Sequence, residues 1–155
     1  RVLFRSEKTP EAARRRLETA LASGAALEKF RENIVLQGGE PGVCDRPDKL
    51  IDRSLKKVPL AANDSGFVNS IDTHCVGQCI GNIGGGRIKA EDTIDHAVGY
   101  SCSAKLGDRV KKGDELGVIY CRSRKQADLI SENLRNAYKI AATKPETTGL
   151  IRAVV

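Results

Sequence analysis

Between Asp72 and Cys121 the spacing of apolar residues switches from three-and-four to two, with a triple glycine dividing the two regimes. That order restricts the fold more than any other feature of the chain. Asp72 is suited to cap a helix, and Val76, Cys79, Ile80 and Ile83 then recur on one helical face. Gly84-Gly85-Gly86 ends that helix. From Val98 the alternation of Val98, Tyr100, Cys102, Ala104 and Leu106 predicts a half-buried strand, followed by a turn at Gly107-Asp108. Gly107 and Gly113 mark two bends six residues apart, and Leu116 to Cys121 is apolar enough for a buried strand.

The flanking regions supply further elements. Thr9 as cap and Pro10 at the first helical position open a helix with Ala13, Leu17, Ala20 and Leu21 along one stripe. Gly24 stops it, and a second helix places Leu27, Phe30 and Ile34 on one face before Gly38-Gly39. Two such helices cannot bury both apolar faces against each other, so the pair is expected to pack on something N-terminal to it. Pro41, Pro47 and Pro59, with alternating charges between them, read as a linker holding one helical turn around Lys49 to Ser54. Leu60 to Ala62 opens a strand, Asn63-Asp64-Ser65-Gly66 turns, and Phe67 to Ile71 continues. A last helix is expected from Ala127 through Ala137 to Ala141, then a closing strand from Leu150 to Val155. The domain reading is residues 1–40 as a helical hairpin, 41–59 as linker and 60–155 as one domain. Its class is α+β, because no regular strand–helix alternation with parallel crossovers is visible.

No apolar run approaches the roughly 20 residues of a membrane-spanning helix. The net charge of +6 comes from basic residues mixed with acids, as in Asp108-Arg109-Val110-Lys111-Lys112-Gly113-Asp114-Glu115. With three Phe and three Tyr, a stacking platform for nucleic acid is hard to build. Methionine is absent, which reads as a piece of a longer product. Five cysteines leave one unpaired in any disulfide scheme and fit reduced thiols in a cytoplasmic protein. His74, Cys75 and Cys79 lack the second ligand pair of a zinc site, and Cys79 falls on the apolar stripe, so no metal is expected.

Gly84-Gly85-Gly86-Arg87 is the tempting anion site. A phosphate cradle sets its glycines before a helix N-terminus, where amides are free, whereas these follow a helix and meet its carbonyl end. A C-cap with a sharp bend is the expected role, and Arg87 is kept as a minor candidate for substrate binding. Gly81-Asn82-Ile83-Gly84 lacks the spacing of a dinucleotide fingerprint. Asp95-His96 and Glu91-Asp92 have the residue types of acid/base pairs but no nucleophile nearby, so capping and turn formation are expected of them.

In combination, Gly84-Gly85-Gly86-Arg87, the run Glu91-Asp92-x-Ile94-Asp95-His96-Ala97-Val98-Gly99 and the Gly107 to Leu116 bends resemble the C-terminal domain of thymidine and pyrimidine-nucleoside phosphorylases. Ala22-Ser23-Gly24-x-Ala26-Leu27-Glu28-Lys29-Phe30, Gln37-Gly38-Gly39-Glu40-Pro41 and the Leu150-Ile151 close extend the resemblance over nearly the whole chain. It implies an α/β-hammerhead domain, related to barrel-sandwich folds, in a homodimeric glycosyltransferase. Such an enzyme converts a pyrimidine (deoxy)nucleoside and inorganic phosphate into free base and (deoxy)ribose 1-phosphate. It also implies that the catalytic, substrate-holding and cation-binding groups lie N-terminal to this segment. No catalytic residue is then expected here, no cofactor beyond phosphate as co-substrate, and the N-terminal remainder of the enzyme as partner. Two rivals share the architecture. One is a non-catalytic interaction module. The other is a lipoyl or biotinyl carrier, whose modified lysine would fall on Ser123, with Lys125 out of register and a helix where a return strand belongs.

Overall fold

The computed structural model describes residue 7 and residues 9–146. The chain divides into two compact units between Ile51 and Asp52.

The first unit is helical. Thr9 Oγ1 accepts from the Ala12 amide at 3.2 Å and, with Pro10, starts α1 (Pro10–Ala22). Gly24 separates it from α2 (Ala25–Leu36). Two short 3-10 turns follow, Pro41–Cys44 and Pro47–Leu50, where one turn around Lys49 to Ser54 was expected. Arg31 ties the first of them to α2 by a two-pronged bond to Asp45, at 2.9 and 2.8 Å. Ala13 is the one buried hydrophobic of this unit among the described residues.

The second unit holds two small antiparallel sheets and two helices. Strands β1 (Lys56–Ala61) and β2 (Gly66–Ile71) precede α3 (Thr73–Ile80), and β3 (Gly99–Cys102), β4 (Arg109–Val110) and β5 (Glu115–Cys121) follow it. Helix α4 (Arg124–Asn136) and β6 (Tyr138–Ala141) complete the unit. One sheet runs β1-β5-β3 and the other β4-β2-β6. The class is therefore mixed helix and antiparallel sheet.

Strand β1 begins at Lys56, inside the stretch expected as linker. Pro59 is tolerated because β1 is an edge strand, paired on one side alone, with Pro59 opposite Val118. Val58 and Leu60 point into the core. β5 is central to its sheet and buries Leu116, Ile119 and Cys121.

The two glycine bends turn out to be a repeated device. At the first, Val68 and Gly107–Asp108 exchange backbone bonds at 2.9 and 2.8 Å; at the second, Ala62 and Gly113–Asp114 do so at 2.8 and 2.9 Å. In each, the aspartate carboxylate accepts from the amide three residues earlier, Lys105 or Lys111, at 2.8 Å. Gly107 and Gly113 have φ of 84° and 93°, which is why glycine stands at both.

Two expectations need correcting. The last helix stops at Asn136, not Ala141: Tyr138 to Ala141 pair with β2 as β6, because Tyr138 and Ile140 find sheet neighbours that a further helical turn would not supply. The strand expected from Val98 to Leu106 is shortened to β3, and Leu106 is exposed at the start of the first glycine bend. The expected Leu150 to Val155 strand lies outside the described residues.

Candidate functional site

A groove of about 690 Å³ runs along α3 in the second unit, lined by Thr73, His74, Gln78 and Asn82 with Arg87 and Ile88 beyond the bend. Asp72 caps α3, its Oδ1 accepting from the Cys75 amide at 3.0 Å. Cys79 and Ile83 bury the opposite face and Val76 packs beside them, so the polar residues are turned outward. His74 and Arg87 are both exposed.

The glycine bend is built as a closure. The helix widens to a π-turn over Gly81–Gly85, and Gly84 leaves helical geometry at φ 95°. A Cβ on Gly85 would come within 2.6 Å of Ile80 Cγ2 and 3.2 Å of the Ile80 carbonyl oxygen. Two of the carbonyls that end the helix are taken up internally: Asp95 N–H donates to Gly84 O at 2.8 Å and Gln126 Nε2 to Ile83 O at 3.1 Å. These are C-cap contacts in function.

Asp95 is also held from its side chain. Arg122 Nε and Nη2 reach its two oxygens at 2.7 and 2.9 Å, and Arg122 Nη1 bonds Asp52 and Ser54. Ser54, then Arg122, lower the Asp52 carboxyl to about 2, and Arg122, then the Ala97 amide, hold Asp95 below the usual carboxylate range. The Asp95-His96 pair is thus not an acid/base couple: Asp95 is committed to a guanidinium, and His96 is exposed. Asp92 accepts from the Ile88 and Lys89 amides at 3.0 and 2.8 Å and forms a turn.

A second polar cluster joins the sheets. Tyr100 Oη and Tyr138 Oη lie 3.0 Å apart, and Cys102 Sγ is 3.1 Å from Tyr138 Oη. Burial pushes the Tyr100 phenol up to about 12 and raises Tyr138 as well. Neutral hydroxyls at physiological pH make this an inter-sheet tie. Sequence reasoning passed over Asp52, Arg122 and this tyrosine pair; a lone Arg after a strand carries no signal for its partners 27 and 70 residues away.

His74, Cys75 and Cys79, from which no metal site was expected, are divided, with His74 exposed and Cys79 buried, where burial first and Cys75 second push its thiol up to about 11. Among the described residues no three His, Cys, Asp or Glu side chains are grouped to hold a metal ion. All five cysteines are free thiols. Ser123, the carrier-lysine position, caps α4 in a capping box with Gln126, so no hairpin tip exists there. No helix among the described residues is long and apolar enough to cross a membrane.

Residues 67–141 match the family model of the pyrimidine nucleoside phosphorylase C-terminal domain. A thymidine phosphorylase of Burkholderia orbicola (strain MC0-3) is 35% identical over 142 residues, covering 92% of this chain and 32% of the relative. A pyrimidine-nucleoside phosphorylase of Geobacillus stearothermophilus is 38% identical over 141 residues, 91% of this chain and 32% of the relative. A thymidine phosphorylase of Burkholderia cenocepacia is 37% identical over 131 residues, 84% and 30% respectively. The chain thus spans about a third of the length of the curated relatives it matches. Over this segment the chain matches the C-terminal portion of thymidine and pyrimidine-nucleoside phosphorylases.

Proposed function

We propose that this chain is the C-terminal portion of a pyrimidine-nucleoside phosphorylase, a cytoplasmic glycosyltransferase of pyrimidine salvage. The reaction converts a pyrimidine (deoxy)nucleoside and inorganic phosphate into free base and (deoxy)ribose 1-phosphate. The observation that carries this reading is the match of residues 67–141, the stretch from β2 to β6, to that domain. The paired glycine bends and the two small antiparallel sheets suit an α/β-hammerhead domain, with residues 1–40 as the end of the preceding phosphorylase domain and the stretch from residue 41 up to β1 leading from it.

In this reading the chain supplies scaffold and the N-terminal remainder of the enzyme, a homodimer, supplies the chemistry. Phosphorolysis needs a clamp for phosphate and a group that holds the base, brought together on one site. The α3 groove offers neither. Its bend presents internally bonded carbonyls, and Arg87 is exposed beside it. No cofactor beyond phosphate is called for.

The test is phosphate-dependent release of base from thymidine, uridine and deoxyuridine by the full-length parent and by the 155-residue chain. Release by the parent with none from the chain is expected. A parent that releases no base from any of the three would overturn the functional reading. Release by the pure chain would move the active site into it.

A further inference from the structure

We infer that Cys75 and Cys79, one turn apart on α3, form a two-sulfur site for a single soft, monovalent metal ion of the Cu(I) class. The inference is independent of phosphorolysis and concerns side chains to which that reading gives no role.

Spacing decides what can join the two sulfurs. Residues four apart on a helix lie on one face with Cβ atoms about 5–6 Å apart. A disulfide holds its Cβ atoms at about 3.5–4.5 Å, so a direct S–S bond would force α3 to bend. Both residues are free thiols. An atom inserted between the sulfurs lengthens the bridge and removes that demand. The thiols already act on each other, since Cys75 adds charge and hydrogen bonding to the burial that raises the Cys79 thiol.

Ligand type and number then select the ion. Thiolate sulfur favours soft centres, chiefly Cu(I), zinc and iron–sulfur clusters. Structural zinc and iron–sulfur clusters take four ligands. Here His74 is exposed along the groove, and among the described residues no third His, Cys, Asp or Glu joins the pair. Two sulfurs suffice for Cu(I), whose filled d shell accepts linear two-coordination. The surroundings suit a low ligand number: Cys79 is 2% exposed, and Cys75 is partly buried against the same core. Cys75 is the open member of the pair, so the ion enters from its side.

The exchange balances without a redox partner. Two S–H bonds break, two Cu–S bonds form, two protons leave to solvent and no electron is transferred. The Cys75 thiol donates to Asn133 O at 3.6 Å, a long contact that is given up on binding. The product carries one negative charge. Cys75 sits in the first turn of α3, where the helix amides favour that charge.

Anaerobic competition for Cu(I) with the chromophoric chelator bathocuproine disulfonate tests this in the full-length parent. Wild type is expected to hold one Cu(I) more than Cys75→Ser. A Cys75→Ser/Cys79→Ala double variant should hold no less than Cys75→Ser alone, because losing either sulfur already removes the site. Cys44→Ser, outside α3, should keep full uptake. At one equivalent, X-ray absorption should count two sulfur ligands, and the thermal midpoint should rise by several degrees in wild type and stay level in Cys75→Ser. Equal uptake by wild type and Cys75→Ser overturns the inference, and that comparison stands even where the buried Cys79 position tolerates no substitution. Stepwise loss of ions through the single and double variants would mean independent thiols and sink the pair. Zinc uptake with the same dependence on Cys75 would give the site to a different class of ion and overturn the assignment.

Discussion

The two units reach order by different means. The second carries every large buried side chain among the described residues, including Leu60, Leu116, Ile119, Ile130 and Leu134, and closes its edges and bends with internal hydrogen bonds. The first has well-formed caps and ion pairs but one buried alanine. Caps and surface pairs decide where a helix starts and which way it turns; they do not supply the apolar burial that holds it. The contrast teaches that local correctness of sequence is no measure of self-sufficiency. The family match follows the same line, since residues 67–141 lie wholly in the unit with the core.

Truncations break or sharpen that contrast most strongly. Leu134 and Ile119 are fully buried, so Leu134→Ala or Ile119→Ala should cost about 2–5 kcal/mol in denaturant unfolding. Leu21→Ala in the same 155-residue chain should change stability by less than about 0.5 kcal/mol. A large loss from Leu21→Ala would show that the hairpin holds a core of its own.

Glycines give the next effect, and its sign depends on position. A Cβ at Gly117 would sit 2.3 Å from Ser101 O and 2.4 Å from Tyr100 Oη, so Gly117→Ala should destabilise by about 1–3 kcal/mol. Gly77 lies inside α3 with nothing within 4 Å of its ideal Cβ. Gly77→Ala should therefore stabilise by about 0.5–1 kcal/mol, as expected of alanine in a helix interior. Thermal melts of both variants check the pair, and destabilisation by Gly77→Ala would contradict the open groove.

Much of the second unit was legible because its signals are local. Asp72, Gly107 and Gly113 act within a few residues of themselves, and their roles follow from capping and turn chemistry. What escaped was set by distant partners. Lys56 to Pro59 looked like linker because charge and proline hide a strand whose pairing residues, Val118 to Cys121, come about 60 positions later. Tyr138 to Ala141 looked helical because Ala137 and Ala141 extended the α4 spacing, while β2 claimed the segment as a strand. At the candidate site, the polarity argument placed the triple glycine correctly as a cap, but nothing local revealed that Arg122 and Gln126 brace it.

The Arg122 clamp yields a smaller, pH-dependent effect. Asp52 and Asp95 have folded-state values below those of free carboxylates, Asp52 at about 2. Lowered values mean that their contribution is present above the unfolded value of about 3.9 and disappears as pH falls toward the folded one. The expected loss for Asp52 therefore runs from about pH 4 to about pH 2. Arg122→Ala should lower the midpoint modestly at pH 7 and flatten this decline. Some slope should survive, because Ser54 acts on Asp52 independently. An unchanged profile from pH 7 to pH 2 would mean that solvent already screens the clamp.

The smallest expected effect concerns Arg87, the residue that a phosphate-seeking eye selects first. A guanidinium gripping phosphate in a desolvated site makes charge-assisted bonds whose loss costs a few kcal/mol, or roughly a hundredfold in affinity. Arg87 is exposed, it follows a helix end whose carbonyls are bonded to Asp95 and Gln126, and the glycines before it serve the backbone path. Arg87→Ala in the full-length enzyme should therefore leave the apparent phosphate affinity within a few-fold. Gly85→Val should lower the thermal midpoint instead, since its Cβ already meets Ile80 at 2.6 Å. Phosphate titrations of base release on the arginine variant decide between the two roles. A large rise in the phosphate KM with an unchanged midpoint would make Arg87 a substrate contact and the bend a binding loop, and would erase the proposed division of labour, in which this segment braces and the N-terminal remainder reacts.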